Sequence, residues 1–166
     1  MDSDLERLQK AITAATAGMS AEEFERHPPG KWSTAEVLEH LYLSYAGTVK
    51  AFGKCLLAGK ALGSAPTWGQ RVRAAAVTRL GYLPSGREAP PTARPRGMAA
   101  EQVLAEIDSK LAEMDRVIAE CEARLGKRAR MLDHPILGPL TASEWRRFHW
   151  AHGQHHVNQI WKLRGK

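Results

Sequence analysis

Cysteine is scarce: the 166-residue chain has two, Cys55 and Cys121, neither in a CxxC pair and each inside an apolar helical pattern. Two such residues do not make the disulfide framework of a small secreted protein. They read instead as buried small hydrophobes. No apolar run approaches the ~20 residues needed to span a bilayer. The first residues, Met1-Asp2-Ser3-Asp4-Leu5-Glu6, offer neither the basic nor the apolar segment of a signal peptide. The expected location is therefore cytoplasmic, with no membrane partner. There is no GxSxG, no GxGxxG after a strand and no phosphate loop, so hydrolytic-triad and nucleotide-binding readings have no support. No strand pattern, internal repeat or low-complexity tract competes with the helical signals described next.

Helical periodicity accounts for most of the chain. Leu5, Leu8, Ile12 and Ala15 recur at helical spacing over residues 3–17, and Gly18 ends that run. Ser20-Ala21-Glu22-Glu23 is a capping box for a short turn that His27-Pro28-Pro29-Gly30 breaks. A second box, Ser33-Thr34-Ala35-Glu36, opens a helix to about residue 58 with a stripe of Val37, Leu41, Tyr45, Val49, Phe52 and Leu56. Residues 59–66 connect it to another helix over 67–80, with Val72, Ala75, Ala76 and Leu80 on one side. Four prolines and three glycines over 81–97 predict an extended crossover. Val103, Ile107, Leu111, Met114, Ile118, Cys121 and Leu125 then step by three and four along a helix over 99–125. Residues 127–140 read as a loop, and Thr141-Ala142-Ser143-Glu144 caps a last helix to about residue 163. Four long helices with a crossover between the second and third predict one all-α domain, a four-helix bundle covering 1–166.

The formal charge is +6. Arg71, Arg73, Arg79, Arg87, Arg94 and Arg96 fall in one stretch, but no exposed aromatics are interleaved with them. A solvated basic surface or a patch for an anionic group fits this better than a nucleic-acid interface.

Four of the seven histidines crowd into His149-Trp150-Ala151-His152-Gly153-Gln154-His155-His156. His152 and His156 lie one turn apart on one face of a helix, where two imidazoles can share a metal ion. They also fall on the stripe of Trp145, Phe148, Gln159 or Ile160, and Leu163. A buried imidazole without partners costs on the order of 1–3 kcal/mol, and a metal satisfies two at once. The bland alternative is a set of hydrogen bonds across the bundle. His149 and His155 fall off the stripe and read as supporting or surface residues. Two ligands are too few, and His40, at the edge of the second helix's stripe, is the best third. His27 and His134 each precede proline in a loop and fit structural roles. Three imidazoles leave a coordination position open, as in catalytic rather than structural sites. All-imidazole ligation suits zinc, nickel, iron or copper, and spacing does not choose among them. Gly153 stands where HExxH requires glutamate, which argues against a zinc protease. The Glu-x-x-His pairs of di-iron bundles are missing too.

Lys31-Trp32-Ser33-Thr34-Ala35-Glu36-Val37-Leu38-Glu39-His40-Leu41 resembles the W-S-x-x-E-V-L-x-H-L segment of the DinB-like superfamily. Gly138-Pro139-Leu140-Thr141, Trp145, and His152-Gly153-Gln154-His155-His156-Val157-Asn158-Gln159-Ile160 resemble its closing helix. The resemblance runs from about residue 5 to 163. It implies an up-up-down-down four-helix bundle with a long crossover and a metal triad at His40, His152 and His156. It also implies a homodimer and a metal-dependent enzyme acting on a small molecule, of a hydrolase class or a transferase class using a low-molecular-weight thiol. Zinc or nickel is the expected ion, with iron or manganese as alternatives. The family supplies no general base, so Glu39 and Tyr42, near His40 in sequence, receive no catalytic role. A non-catalytic module that binds a metal or ligand is the alternative function.

Overall fold

The computed structural model describes residues 1–81 and 88–165; Arg87, and the extended run expected over 82–87, lie outside the described residues. The elements are α1 (Ser3–Thr16), α2 (Ala21–Glu25), α3 (Thr34–Ala58), α4 (Trp68–Leu80), a 3-10 turn (Pro91–Ala93), α5 (Ala100–Leu125), β1 (Leu132–His134), β2 (Gly138–Leu140) and α6 (Ala142–Leu163). The three capping boxes read from sequence all form, at Ser20/Glu23, Ser33/Glu36 and Thr141/Glu144. Each satisfies two helix-end N–H groups that would otherwise lack acceptors. A fourth, Thr67/Gln70, starts α4.

The four long helices α1, α3, α5 and α6 build an all-α bundle, with the long crossover between the second and third of them. Their directions differ from the up-up-down-down order that the resemblance implied. Arg164 near the end of α6 reaches the Ala15 carbonyl at the end of α1. At the opposite end, the Asp2 amide and Arg146 meet on Asp115. Hence α1 and α6 are parallel. Tyr42 bonds Glu106, and the Cys121 thiol bonds the Phe52 carbonyl, so α3 and α5 are parallel as well. His40 meets His152 while Phe52 meets Trp145, which makes α3 antiparallel to α6. The run is up, down, down, up. The crossover returns the chain to its starting end before α5 begins, and that return permits two parallel neighbours in succession.

α3 packs most extensively on α5, and α1 on α6. Val103, Ile107, Leu111, Met114, Ile118 and Cys121 of α5 are all buried. So are both cysteines, whose thiols donate to the Met131 and Phe52 carbonyls. A Cβ at Gly153 would collide with the Leu8 side chain. A larger residue there would have to displace the buried Leu8 side chain on which α1 and α6 meet.

Two segments differ from expectation. The loop expected over 127–140 contains a short antiparallel hairpin, pairing Leu132 with Leu140 and His134 with Gly138. Three-residue strands are too short to show alternation, and the turn is closed by His134, whose Nδ1 accepts from the Ile136 and Leu137 amides at 3.2 Å each. On α4 the buried residues are Ala74 and Val77. Of the apolar side that periodicity picked out, Val72 and Leu80 are 49% and 80% exposed and Ala75 and Ala76 are half-buried; Trp68, outside that set, is 81% exposed.

Candidate metal centre

The site lies where α3 and α6 cross. His40 and His156 are buried and His152 is partly so. His40 Nε2 lies 3.0 Å from His152 Nε2, and His156 Nε2 lies 3.1 Å from the same atom. These three residues form a group whose nitrogens could hold one metal ion. Nitrogens at about 2.0–2.1 Å from a shared ion stand roughly 3.0–3.4 Å apart, so the spacing suits one. Every residue named from sequence as a ligand is thus brought to one point.

The outer nitrogens decide what the inner ones carry. His40 Nδ1 lies 2.7 Å from the Ala93 carbonyl, which can only accept, so that nitrogen holds the ring's proton. His156 Nδ1 lies 2.7 Å from Gln159 Oε1, with the same consequence. Both rings therefore aim bare Nε2 lone pairs at His152. A single N–H at His152 Nε2 could satisfy only one of them. A cation in the middle satisfies all three, which is the physical fit of this donor set to a metal. The rings cannot easily supply that cation themselves. Burial pushes His156 down to about 3, helped by the nearby His40. Burial lowers His40 against the opposing hydrogen bond to Ala93. Burial, then His156 and His40, lowers His152.

The surroundings add residues that the sequence reading passed over. Gln159 also bonds His155 through its Nε2, at 3.2 Å. The half-buried Trp32 ring lies 5.1 Å from His40 and 6.4 Å from His156 and forms one wall. Phe148 stacks on His152 at 5.3 Å with the planes 10° apart. Glu39, buried and turned from the site, accepts from the Arg96, Gly97 and Met98 amides at 2.7, 3.0 and 3.0 Å. It anchors the end of the crossover whose Ala93 carbonyl orients His40. Tyr42 donates to Glu106 on α5.

The remaining histidines are structural or supporting. Of the two readings of His149, supporting or surface, burial removes the second: its Nε2 lies 3.0 Å from Thr48 Oγ1, and burial pushes it down to about 3. His134 closes the hairpin turn and packs on Phe148 at 4.4 Å; burial takes it to about 4. His27 is exposed and bonds the Pro28 carbonyl. Of the arginines, Arg73 bonds the Ile136 carbonyl and Arg94 pairs with Glu88. Arg94 follows Ala93 in the chain with its guanidinium turned to Glu88, and Arg96 gives its amide to Glu39.

No helix among the described residues is long and apolar enough to cross a membrane. A family model described as the DinB superfamily matches residues 4–160. No curated protein and no solved structure matches the chain.

Proposed function

The chain belongs to the DinB superfamily, and from that premise and the meeting of three neutral imidazoles we propose that it is a metal-dependent enzyme acting on a small molecule. His40, His152 and His156 would hold one divalent ion through Nε2. The convergence of lone pairs on one point carries this reading: Ala93 and Gln159 fix the outer protons of two rings, and the inner nitrogens need a shared cation. Bound there, the ion supplies Lewis acidity toward a thiol, a water or a carbonyl.

The protein's own part is positioning and exclusion of water. Ala93 and Gln159 orient two ligands, and such outer partners tune metal affinity. Trp32 and Phe148 cover the imidazoles with apolar rings, and a low-dielectric surrounding strengthens electrostatic interactions at the site. The basic stretch over 71–96 would suit a substrate with an anionic group. The reaction class is hydrolysis or transfer involving a low-molecular-weight thiol, with zinc or nickel as the ion.

The test is metal uptake by purified protein, followed by elemental analysis and calorimetry with zinc and with nickel. One equivalent per chain is expected, lost in His152→Ala with helix content unchanged by circular dichroism. Wild-type protein that takes up neither ion ends the reading. Tight binding without turnover of thiol or amide substrates would leave the metal site standing and favour a binding module over an enzyme.

A further inference from the structure

Three donors and one acceptor are left without partners in the interior beside the metal centre. Among the described residues, Tyr45 Oη, Trp145 Nε1, His149 Nδ1 and His152 Nδ1 are buried and make no hydrogen bond. The Tyr45 and Trp145 rings lie 5.6 and 5.9 Å from that of His149. His149 and His152 are three residues apart on α6, hence on adjoining faces of one turn.

Proton accounting fixes the role of each atom. Thr48 Oγ1 gives its single hydrogen to the Ser44 carbonyl at 3.0 Å. Toward His149 Nε2, also at 3.0 Å, it can then only accept. His149 therefore carries its proton on Nε2, and its Nδ1 is a bare lone pair. His152 has the opposite need. If its Nε2 faces a metal, its proton sits on Nδ1 as a buried donor. A metal-bound histidine nearly always donates that second N–H to an acceptor. His40 and His156 have theirs in Ala93 and Gln159. His152 has none among the described residues.

We infer that Thr48 and His149 are positioning residues for the third ligand: Thr48 holds His149 as its Nε2–H tautomer, and His149 Nδ1 receives the Nδ1 proton of His152 through one buried water. That water would accept from His152, donate to His149 and accept from Tyr45, the three partners an internal water ordinarily requires. His40, Ser44 and Thr48 follow one another at single-turn spacing on α3, with the Ser44 hydroxyl bonded to the His40 carbonyl at 2.8 Å. One stripe of α3 thus supplies a ligand at one end and, two turns on, the residue that sets the tautomer behind a second ligand.

The inference rests on the metal reading above, and the experiment separates the two. Zinc affinity is measured by competition with a chromophoric chelator for wild type, Thr48→Val and Thr48→Ser, and ring tautomers are read by long-range proton–nitrogen NMR. Valine keeps the shape and removes the acceptor; serine restores it. Thr48→Val is expected to weaken zinc binding about ten- to a hundredfold, in the range for loss of an outer partner, and to move His149 away from the Nε2–H form. Thr48→Ser should recover both. The wild-type spectrum needs no variant: His149 should be Nε2–H, with a slowly exchanging proton on His152 Nδ1 when zinc is bound. A folded Thr48→Val protein with unchanged affinity, or a wild-type His149 protonated on Nδ1, overturns the inference and leaves the metal site intact. A wild-type protein that binds no zinc overturns both.

Discussion

α3 has two seams, and they are built on opposite principles. Against α5 it packs in parallel, and α5 presents an aliphatic row with a methionine and a cysteine, all buried. Against α6 it packs in antiparallel and presents His40 to His152 and His156, and Thr48 to His149. The first seam gains free energy by removing apolar surface from water and tolerates no void. The second removes polar rings from water and recovers that cost only by pairing each nitrogen. A helix can carry both because positions 40, 44 and 48 repeat at one turn while the apolar stripe occupies the adjoining arc. Stability therefore belongs mainly to one side of α3, and the candidate metal centre to the other.

Damage to the first seam should show most strongly in stability. Leu111→Ala removes a fully buried side chain from α5. A loss of about 2–5 kcal/mol is expected in denaturant unfolding, with zinc affinity of the folded protein unchanged. If zinc affinity fell in step with stability, the two seams would not be separable.

Acid should act on the second seam. His149, ordinarily near 6.5, is held to about 3 by burial, and His134 to about 4. Between those values and 6.5 the unfolded chain binds more protons than the folded one. Stability is therefore full above about pH 6.5 and declines as pH falls through that window. His149 alone should cost about 2 kcal/mol at pH 5, since each unit below its unfolded pKa contributes roughly 1.4 kcal/mol. Unfolding of metal-free protein at pH 7 and pH 5 measures it, and equal stabilities would show that these rings are not held neutral.

The smallest effect belongs to a stripe outside both seams. Trp68 on α4 is 81% exposed, and Trp68→Ser should change stability by no more than about 0.5 kcal/mol. A larger loss would mean that the outward face of α4 is covered in solution.

The sequence shows the two seams unequally. The α5 row is plain because one helix face packs mainly on a single neighbour, α3, so its three-and-four stepping is little disturbed. His152 and His156 stand out because they occupy positions where that stepping calls for apolar residues, and His40 because it borders its own stripe. His149 is left open between a supporting and a surface place for a definite reason. α6 packs against α1, α3, α4, α5 and the hairpin, so its buried arc is wider than a single stripe and takes in a residue that a two-sided helix would expose. Thr48, Gln159 and the Ala93 carbonyl leave no signal at all, since partners of ring nitrogens come from whatever the fold brings near. α4 misleads in the other sense: its apolar side is periodic, yet the small Ala74 and Val77 face inward. Helix direction is also beyond periodicity, which records faces and not the end from which a chain enters.

The grip of Glu39 on residues 96–98 has a kinetic meaning. His40 and its carbonyl partner Ala93 are separated by 53 positions, and His40 and His152 by 112. Neither closure is local, so both wait on slow, entropically costly loop formation. Helices can form early, but pairing α3 with α5 itself closes loops of 64 and 69 positions, and the three-nitrogen cage needs the crossover docked and α6 in place besides. The cage is therefore a late product of folding, and a chain that has stalled with its helices formed but its crossover loose would have every ligand residue and nowhere to hold an ion.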